Sequence, residues 1–526
     1  MPRPTPLKQD LICILLLVVL SLTLWFPVLG QVSLNPDESQ YEATASYLVA
    51  TGSSAFLPNG APGMFGLFKI ATRVVGPYPI FAMRVVVMGI ALLIAAMLFR
   101  IVYRETNRWC GLISGLVFLH AVAPFEGFAV NREWFSSMAT VGGLSLYATI
   151  RRHERPRTWL LVTSGFLCGM ALWFKLQASF ITLVVPVVLV MEAAVSRSAR
   201  RLRDELPWFA TGGLLAGVVY LAPFSANGTL GQFLEFMFSD VRVYVGGEAA
   251  ARPSYMDRFV LDLPHSPVFL IAYALVTIVA AVWIVRLFRP GDASKHPGTA
   301  ASMFAAYLVL AMICVQLGNR FFAHYYQLML PAVAGLVGLA VHTLVRLART
   351  RPAWRGAGLA GIALIALQTA VLVGHEQLAP RPASMSHNAY KYVELTEYFE
   401  REAATGDRLF VWGWAPEIYS LTRLEAASHI TFCQYIVNDI QGFPDAPSIN
   451  DEWARMLMDE LEETRPRFIV DASRATWFET KAWIYDLRNY PEFELNTLLE
   501  TKYREVARVD DCPVWERVGT IGDTES

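Results

Sequence analysis

The sequence predicts a mostly α fold: a polytopic transmembrane helical bundle of about 11 spans, followed by a small C-terminal α/β extracytoplasmic domain. Three observations predict it. Of 526 residues, 54% are hydrophobic and 17% charged, too little charge to cover a soluble protein of this length. Nearly all the excess apolar content precedes Gly374, so residues 1–374 form a membrane part and residues 375–526 a tail of one ordinary domain's size. Between the apolar runs, connections rich and poor in Lys and Arg alternate.

A spanning helix needs about 20 apolar residues, fewer where other helices shield its ends. The candidate spans are Leu11–Gly30, Pro79–Phe99, Trp109–Pro124, Trp134–Ile150, Trp159–Phe174, Ala178–Ala194, Leu206–Phe224, Pro267–Leu287, Thr299–Leu317, Tyr326–Val345 and Ala357–Val373. The first is read as a span, because its apolar run exceeds a typical signal-peptide core and no small-x-small cleavage site follows. Every second connection is basic: Arg100/Arg104/Arg108, Arg151/Arg152/Arg155/Arg157, Arg197/Arg200/Arg201/Arg203, Arg286/Arg289/Lys295 and Arg346/Arg349/Arg351/Arg355. The others carry few bases and most of the acids. The positive-inside bias therefore predicts a multi-pass protein of the plasma (cell inner) membrane, with a cytoplasmic N-terminus and an extracytoplasmic tail.

Two outer loops are long. Residues 31–78 contain two amphipathic stretches, Pro36–Ala50 and Met64–Val75, and residues 225–266 are rich in Asp, Glu and Arg. In the tail, strand-like and helical patterns alternate over Arg408–Trp414, Pro416–Thr422, Asp451–Glu463, Arg467–Asp471 and Tyr503–Glu516, hence the α/β reading. No internal repeat is visible, which weakens a transporter architecture. The net charge of −1 offers no bulk attraction to nucleic acid, and no such partner is expected. Cys13, Cys110, Cys168 and Cys314 lie in or beside apolar runs and read as small hydrophobes. Cys433 and Cys512 would share an oxidising exterior, where pairing and remaining free are both open.

Polar residues of chemical interest fall on the outer connections. Asn35-Pro36-Asp37-Glu38 is a good helix start, with Asn35 as N-cap, Pro36 in the first turn and Glu38 closing a capping box. It is also an acid pair at the membrane surface, with Tyr41 one turn from Asp37. Such a carboxylate can accept a proton from an attacking hydroxyl, and Asp37 with Glu38 are candidates for a divalent cation; no other cofactor is implied. Asn131-Arg132-Glu133 reads as a solvated turn beside the interfacial anchor Trp134, or as part of a site. Lys175 and Gln177 interrupt an apolar run; snorkelling explains Lys175, but the connection is too short for it to stray from the boundary, where lipid phosphates lie. Arg320, His324 and Tyr325 occupy the turn Gly318–Tyr326, and an aromatic belt explains its rings but not Arg320 and His324. Arg84 is a cation about one turn inside the second span, a site candidate by default. A base, several cations and an acidic pair on one side of the bilayer suit a reaction on a phosphorylated lipid headgroup. Nucleotide sugars and ATP are cytosolic and are not the expected donors.

In order and spacing these pieces resemble the GT-C glycosyltransferases, in the branch of the protein O-mannosyltransferases and lipid A aminoarabinose transferases. The matching pieces are Asp37-Glu38 with Tyr41, Pro62-Gly63-Met64-Phe65, Asn131-Arg132-Glu133, Lys175-Leu176-Gln177 and Arg320-Phe321-Phe322-Ala323-His324-Tyr325. The tail stretch Gly406–Trp414 with Pro416-Glu417-Ile418-Tyr419 resembles a segment of many bacterial members. The resemblance implies transfer of a hexosyl or pentosyl group from a polyprenyl-phosphate-linked sugar to a protein, lipid or glycan acceptor at the outer face. Asp37 would be the catalytic carboxylate; Lys175, Arg320 and His324 would bind the leaving phosphate with Tyr325 nearby, and the anomeric centre would invert. Glu38, Tyr41, Arg132, Glu133 and Gln177 would support them. Relatives often carry Lys-Pro-Pro-Gly in the first loop, where this chain has Gly60-Ala61-Pro62-Gly63. Either Lys69, Arg73 or Arg84 would replace that missing donor-side cation, or donor handling differs. The rival expectations are a transporter or flippase for a lipid-linked glycan and an inactive scaffold.

Overall fold

The computed structural model describes residues 6–30, 36–52, 62–122, 127–152, 157–235, 238, 299–317, 323–350, 391–437, 448–475 and 482–519. The predicted spans Pro267–Leu287 and Ala357–Val373, most of the 225–266 loop, Asn35 and Arg320 lie outside the described residues.

Every predicted span that falls on described residues is helical. The membrane part runs α1 (Pro6–Leu29), α2 (Pro36–Thr51), α3 (Pro62–Val75), α4 (Ile80–Glu105), α5 (Arg108–Ala121), α6 (Arg132–Ile150), α7 (Thr158–Gly169), α8 (Ala171–Phe174), α9 (Val184–Ser196), α10 (Arg200–Ala226), α11 (Leu230–Glu235), α12 (Thr299–Leu317) and α13 (Leu330–Thr350). Six helical runs among the described residues are long and apolar enough to cross a membrane; Arg108–Ala121 and Thr158–Phe174 are shorter apolar helices. Two predicted spans are less regular than their apolar runs suggest. Trp159–Phe174 divides into α7 and α8, and α9 is entered through a 3₁₀ helix, Leu176–Leu183. Between these pieces Lys175 adopts an extended backbone, so the chain leaves helical geometry at its buried cation.

Helix contacts are close where residues are small. A Cβ on Gly165 would collide with the Phe209 carbonyl, and one on Gly212 with the Val162 carbonyl, so α7 and α10 pack backbone to backbone. The end of the bundle where arginines are concentrated is tied together internally. Arg151 at the C-terminus of α6 holds Glu192 of α9 at 2.7 Å and Glu205 of α10 at 3.5 Å, and Tyr147 donates to Glu205 at 2.9 Å. Arg132 begins the same helix, whose 19 residues put about 28 Å between the two ends.

The tail comprises β1 (Arg408–Trp412), β2 (Glu425–Ala426), β3 (Phe468–Asp471), β4 (Tyr503–Val509) and β5 (Cys512–Arg517), with helices α14 (Val393–Glu402), α15 (Glu417–Thr422), α16 (Asp451–Thr464), α17 (Ala482–Tyr485) and α18 (Glu494–Lys502). The sheet order is β2-β1-β3-β5-β4: β1 is parallel to β2 and β3, and β5 is antiparallel to β3 and β4. The stretch Tyr503–Glu516, which patterns as one strand-like segment, is a hairpin. Asp510 and Asp511 take φ of 48° and 60°, and two successive left-handed residues make the tight turn whose twist suits paired strands. Asn450 caps α16, its side chain accepting from Glu452 N–H at 3.1 Å and Trp453 N–H at 3.2 Å. Cys433 and Cys512 are both free and buried, in separate apolar clusters. That arrangement resolves the sequence alternative: they do not pair.

Candidate active site

The site is organised by α2. The sequence predicts an amphipathic Pro36–Ala50, but the structure buries every residue from Glu38 to Leu48. The reason is a second covering layer. Tyr41 and Ala45 belong to the membrane core with Phe65 and Phe68 of α3, whereas Ala43, Tyr47 and Leu48 join the core of the tail with Leu395, Ile418 and Leu409. α2 is thus a polar helix held between two apolar surfaces, and its polar groups need partners.

Most of them find one. Glu38 pairs with Arg84 of α4, both side chains at 0% exposure, and its other carboxylate oxygen accepts from Val130 N–H at 2.9 Å. Glu42 accepts from Ile80 N–H at 2.8 Å and from the Ser420 hydroxyl of α15 at 2.5 Å. Burial pushes the Glu42 carboxyl up to about 7, against the pull of those two donors. The Thr44 hydroxyl bonds the His429 carbonyl at 3.2 Å and Thr431 at 2.9 Å. Tyr78, between α3 and α4, reaches the Leu424 carbonyl. The tail is therefore bolted to the outer loop along one face of α2.

Asp37, in the first turn of the same helix, faces a different environment. Its side chain is 27% exposed and lies 3.5 Å from Arg132 at the start of α6. The Arg132 guanidinium sits 5.9 Å from the centre of the Tyr41 ring. Next to it, Glu133 is buried and pairs with Lys175; the Lys175 ammonium lies 3.2 Å from the centre of the Tyr325 ring. The His324 ring packs edge-on against Tyr325 at 4.9 Å. Four stretches far apart in sequence thus meet in one cluster: Asp37 with Tyr41, Arg132 with Glu133, Lys175, and His324 with Tyr325. Gln177 is half-buried two residues beyond Lys175.

The first-loop glycine has a reason of its own. A Cβ at Gly63 would stand 2.8 Å from the Phe174 ring and 2.9 Å from the Trp173 carbonyl, so α3 starts against the segment that delivers Lys175. Of the three cations available to replace the absent loop lysine, Arg84 is committed to Glu38. Lys69 and Arg73 lie one turn apart on α3, and burial together with the Arg73 charge lowers the Lys69 ammonium from its usual range. Asp37 and Glu38 point apart: Glu38 engages Arg84 and the Val130 N–H, while Asp37 faces Arg132.

No family model matches the sequence, and a search of curated proteins finds no match. Solved structures do match. ArnT from Cupriavidus metallidurans bound to undecaprenyl phosphate superposes over 96% of this chain and 98% of its own, with a TM-score of 0.61 and 14% identity. The apo state of the same protein covers 96% and 97%, with a TM-score of 0.57 and 15% identity. The chain has the GT-C fold. The archaeal oligosaccharyltransferase AglB from Archaeoglobus fulgidus, in complex with an inhibitory peptide and a dolichol-phosphate, has it too. That superposition covers 99% of this chain and 75% of the other, with a TM-score of 0.52 and 11% identity.

Within this GT-C fold, the residues singled out in sequence divide into two groups. Asp37, Tyr41, Arg132, Glu133, Lys175, His324 and Tyr325 come together, while Glu38 and Arg84 form a separate buried pair. Two groups of the tail were missed. Glu417 at the start of α15 is buried, and burial with the charges of Asp37 and Glu38 pushes its carboxyl up to about 7, opposed by its own N–H and Lys391. Tyr435, also buried, stands near enough to Tyr41 to influence its phenol. The only available signal was the Trp-Gly-Trp-Ala-Pro-Glu stretch itself, which says nothing about the helix it meets.

Proposed function

We propose that the protein is a membrane glycosyltransferase that moves a sugar from a polyprenyl phosphate to an acceptor at the outer face of the membrane, with Asp37 as the catalytic carboxylate. The observation that carries this reading is the half-open Asp37 carboxylate beside a string of cations and rings: Arg132, then Glu133–Lys175, then Tyr325 with His324. It is supported by the GT-C fold and by the polyprenyl phosphates bound in two of the superposed structures, undecaprenyl phosphate in ArnT and dolichol-phosphate in AglB.

In this reaction Asp37 takes the proton of an acceptor hydroxyl as its oxygen attacks the anomeric carbon. The bond from that carbon to the phosphate oxygen breaks, and the polyprenyl phosphate departs from the opposite side with the electron pair, inverting the centre. Lys175, with Arg320 and His324 from the 318–326 connection, opposes the charge that grows on the leaving phosphate. Asp37 gives the proton to solvent before the next turnover.

The direct test is transfer of radiolabelled sugar from a panel of polyprenyl-phosphate sugars to an envelope extract by the purified protein in lipid nanodiscs. Transfer with one donor, lost with Asp37→Asn, is the expected result; no transfer with any donor rejects the enzyme reading. Lys175→Ala, combined with Glu133→Gln so that no lone carboxylate stays buried, is expected to raise the donor KM roughly ten- to a hundredfold, the scale of a lost charged hydrogen bond. An unchanged donor KM removes Lys175 from the phosphate site. The proposed orientation puts a periplasm-dependent reporter fused after Gly374 in its active compartment, while a cytosol-dependent reporter stays silent. The reverse pattern overturns the orientation.

A further inference from the structure

We infer that Glu417 is the acceptor-binding residue contributed by the C-terminal domain: its carboxyl enters the Asp37 site and hydrogen-bonds a neutral, hydroxyl-bearing acceptor. This rests on the glycosyl-transfer reading and specifies which domain and which chemical class of acceptor that site takes.

Glu417 is 2% exposed, and its Oε2 has no hydrogen-bond partner among the described residues. A lone buried carboxylate oxygen is costly and is seldom kept without use. Its place follows from the docking of α15 on α2. Ser420 lies one turn after Glu417 and bonds Glu42 at 2.5 Å; Glu38 lies one turn before Glu42. Four residues on, Tyr78 ties the Leu424 carbonyl to Ser46 of α2, so the two segments run in the same direction and Glu417 is brought toward the Asp37–Glu38 end. The mutual influence of the Glu417, Asp37 and Glu38 charges agrees with that placement. A second buried polar atom without a partner among the described residues, the Tyr41 hydroxyl, also feels the Asp37 charge. Asp37 thus stands near two unsatisfied groups, one from the membrane part and one from the tail.

The charges around Glu417 select the ligand. Asp37 and Glu38 face it from α2, with Lys391 and Tyr392 from the chain entering α14. Burial and the two carboxylates hold it as the neutral acid up to about pH 7. A neutral carboxyl donates one hydrogen bond and accepts another, which matches a sugar or side-chain hydroxyl. An anionic acceptor would meet the Asp37 carboxylate instead.

The test uses the full chain in nanodiscs, the labelled polyprenyl-phosphate sugar that supports transfer, and envelope extract as acceptor. Initial rates are taken against extract and against donor from about pH 6 to about pH 9. Glu417→Ala is expected to raise the apparent acceptor KM about tenfold, with the donor KM unchanged, as for loss of one hydrogen bond. In the unsubstituted protein the acceptor KM climbs above about pH 7 as Glu417 ionises; Glu417→Gln, which keeps a donor and an acceptor, removes that climb. If Glu417→Ala does not fold, the Glu417→Gln profile decides alone. An unchanged acceptor KM in Glu417→Ala, or a climb that persists in Glu417→Gln, overturns the proposal while transfer itself stands. No transfer by the unsubstituted protein overturns the reading beneath it as well.

Discussion

Asp37→Asn protein that folds and inserts normally is expected to lose turnover by at least about a hundredfold, the range for removal of a general base. The substitution is nearly isosteric at the first turn of α2, and Arg132 at 3.5 Å keeps a hydrogen-bond acceptor within reach. What disappears is the group proposed to take the proton from the acceptor. Donor KM should be nearly unchanged, because the leaving phosphate is assigned to the Lys175 and His324 side of the cluster. Rates measured with saturating donor decide the matter; near-normal turnover removes Asp37 as the base and leaves the cluster without one.

Arg84→Met has a comparable effect on a different property. It removes the guanidinium from a Glu38 carboxylate at 0% exposure, and breaking a buried pair from one side costs about 3–5 kcal/mol. The expected result is a marked fall in thermal stability in detergent. Arg84→Met combined with Glu38→Leu should recover much of it, since neither charge is then left alone in the interior. A single variant as stable as the parent would show that Glu38 is satisfied without Arg84, and the pair would cease to explain why an arginine lies inside a span.

These two outcomes also separate neighbouring acids that look alike in sequence. Asp37 and Glu38 are adjacent, yet successive helical residues point about a quarter-turn apart. One reaches Arg132 and a half-open site; the other turns toward α4 and is sealed. In sequence both belong to one acid pair. Arg84 was similarly legible as an intramembrane cation with a purpose, but its partner stands 46 positions away and cannot be read locally. Lys175 was legible as a lysine held at a boundary. That it would meet Glu133, 42 positions distant, and rest on Tyr325 was not. The burial of α2 escaped for a related reason: part of the apolar surface that covers it comes from the tail, nearly 400 residues later, as the Glu42–Ser420 bond across 378 positions records.

What this chain's sequence determines by itself is the set of helical runs and the strand and helix segments of the tail. Those depend on hydrophobic length and period, which are properties of contiguous residues. The tertiary structure decides which charge answers which, that Cys433 and Cys512 stay apart, and that a tail helix docks on the outer-loop helix. Each of those outcomes is a distance between side chains from separate elements. Burial makes every such pairing matter by several kcal/mol, and only packing determines which partner is within reach.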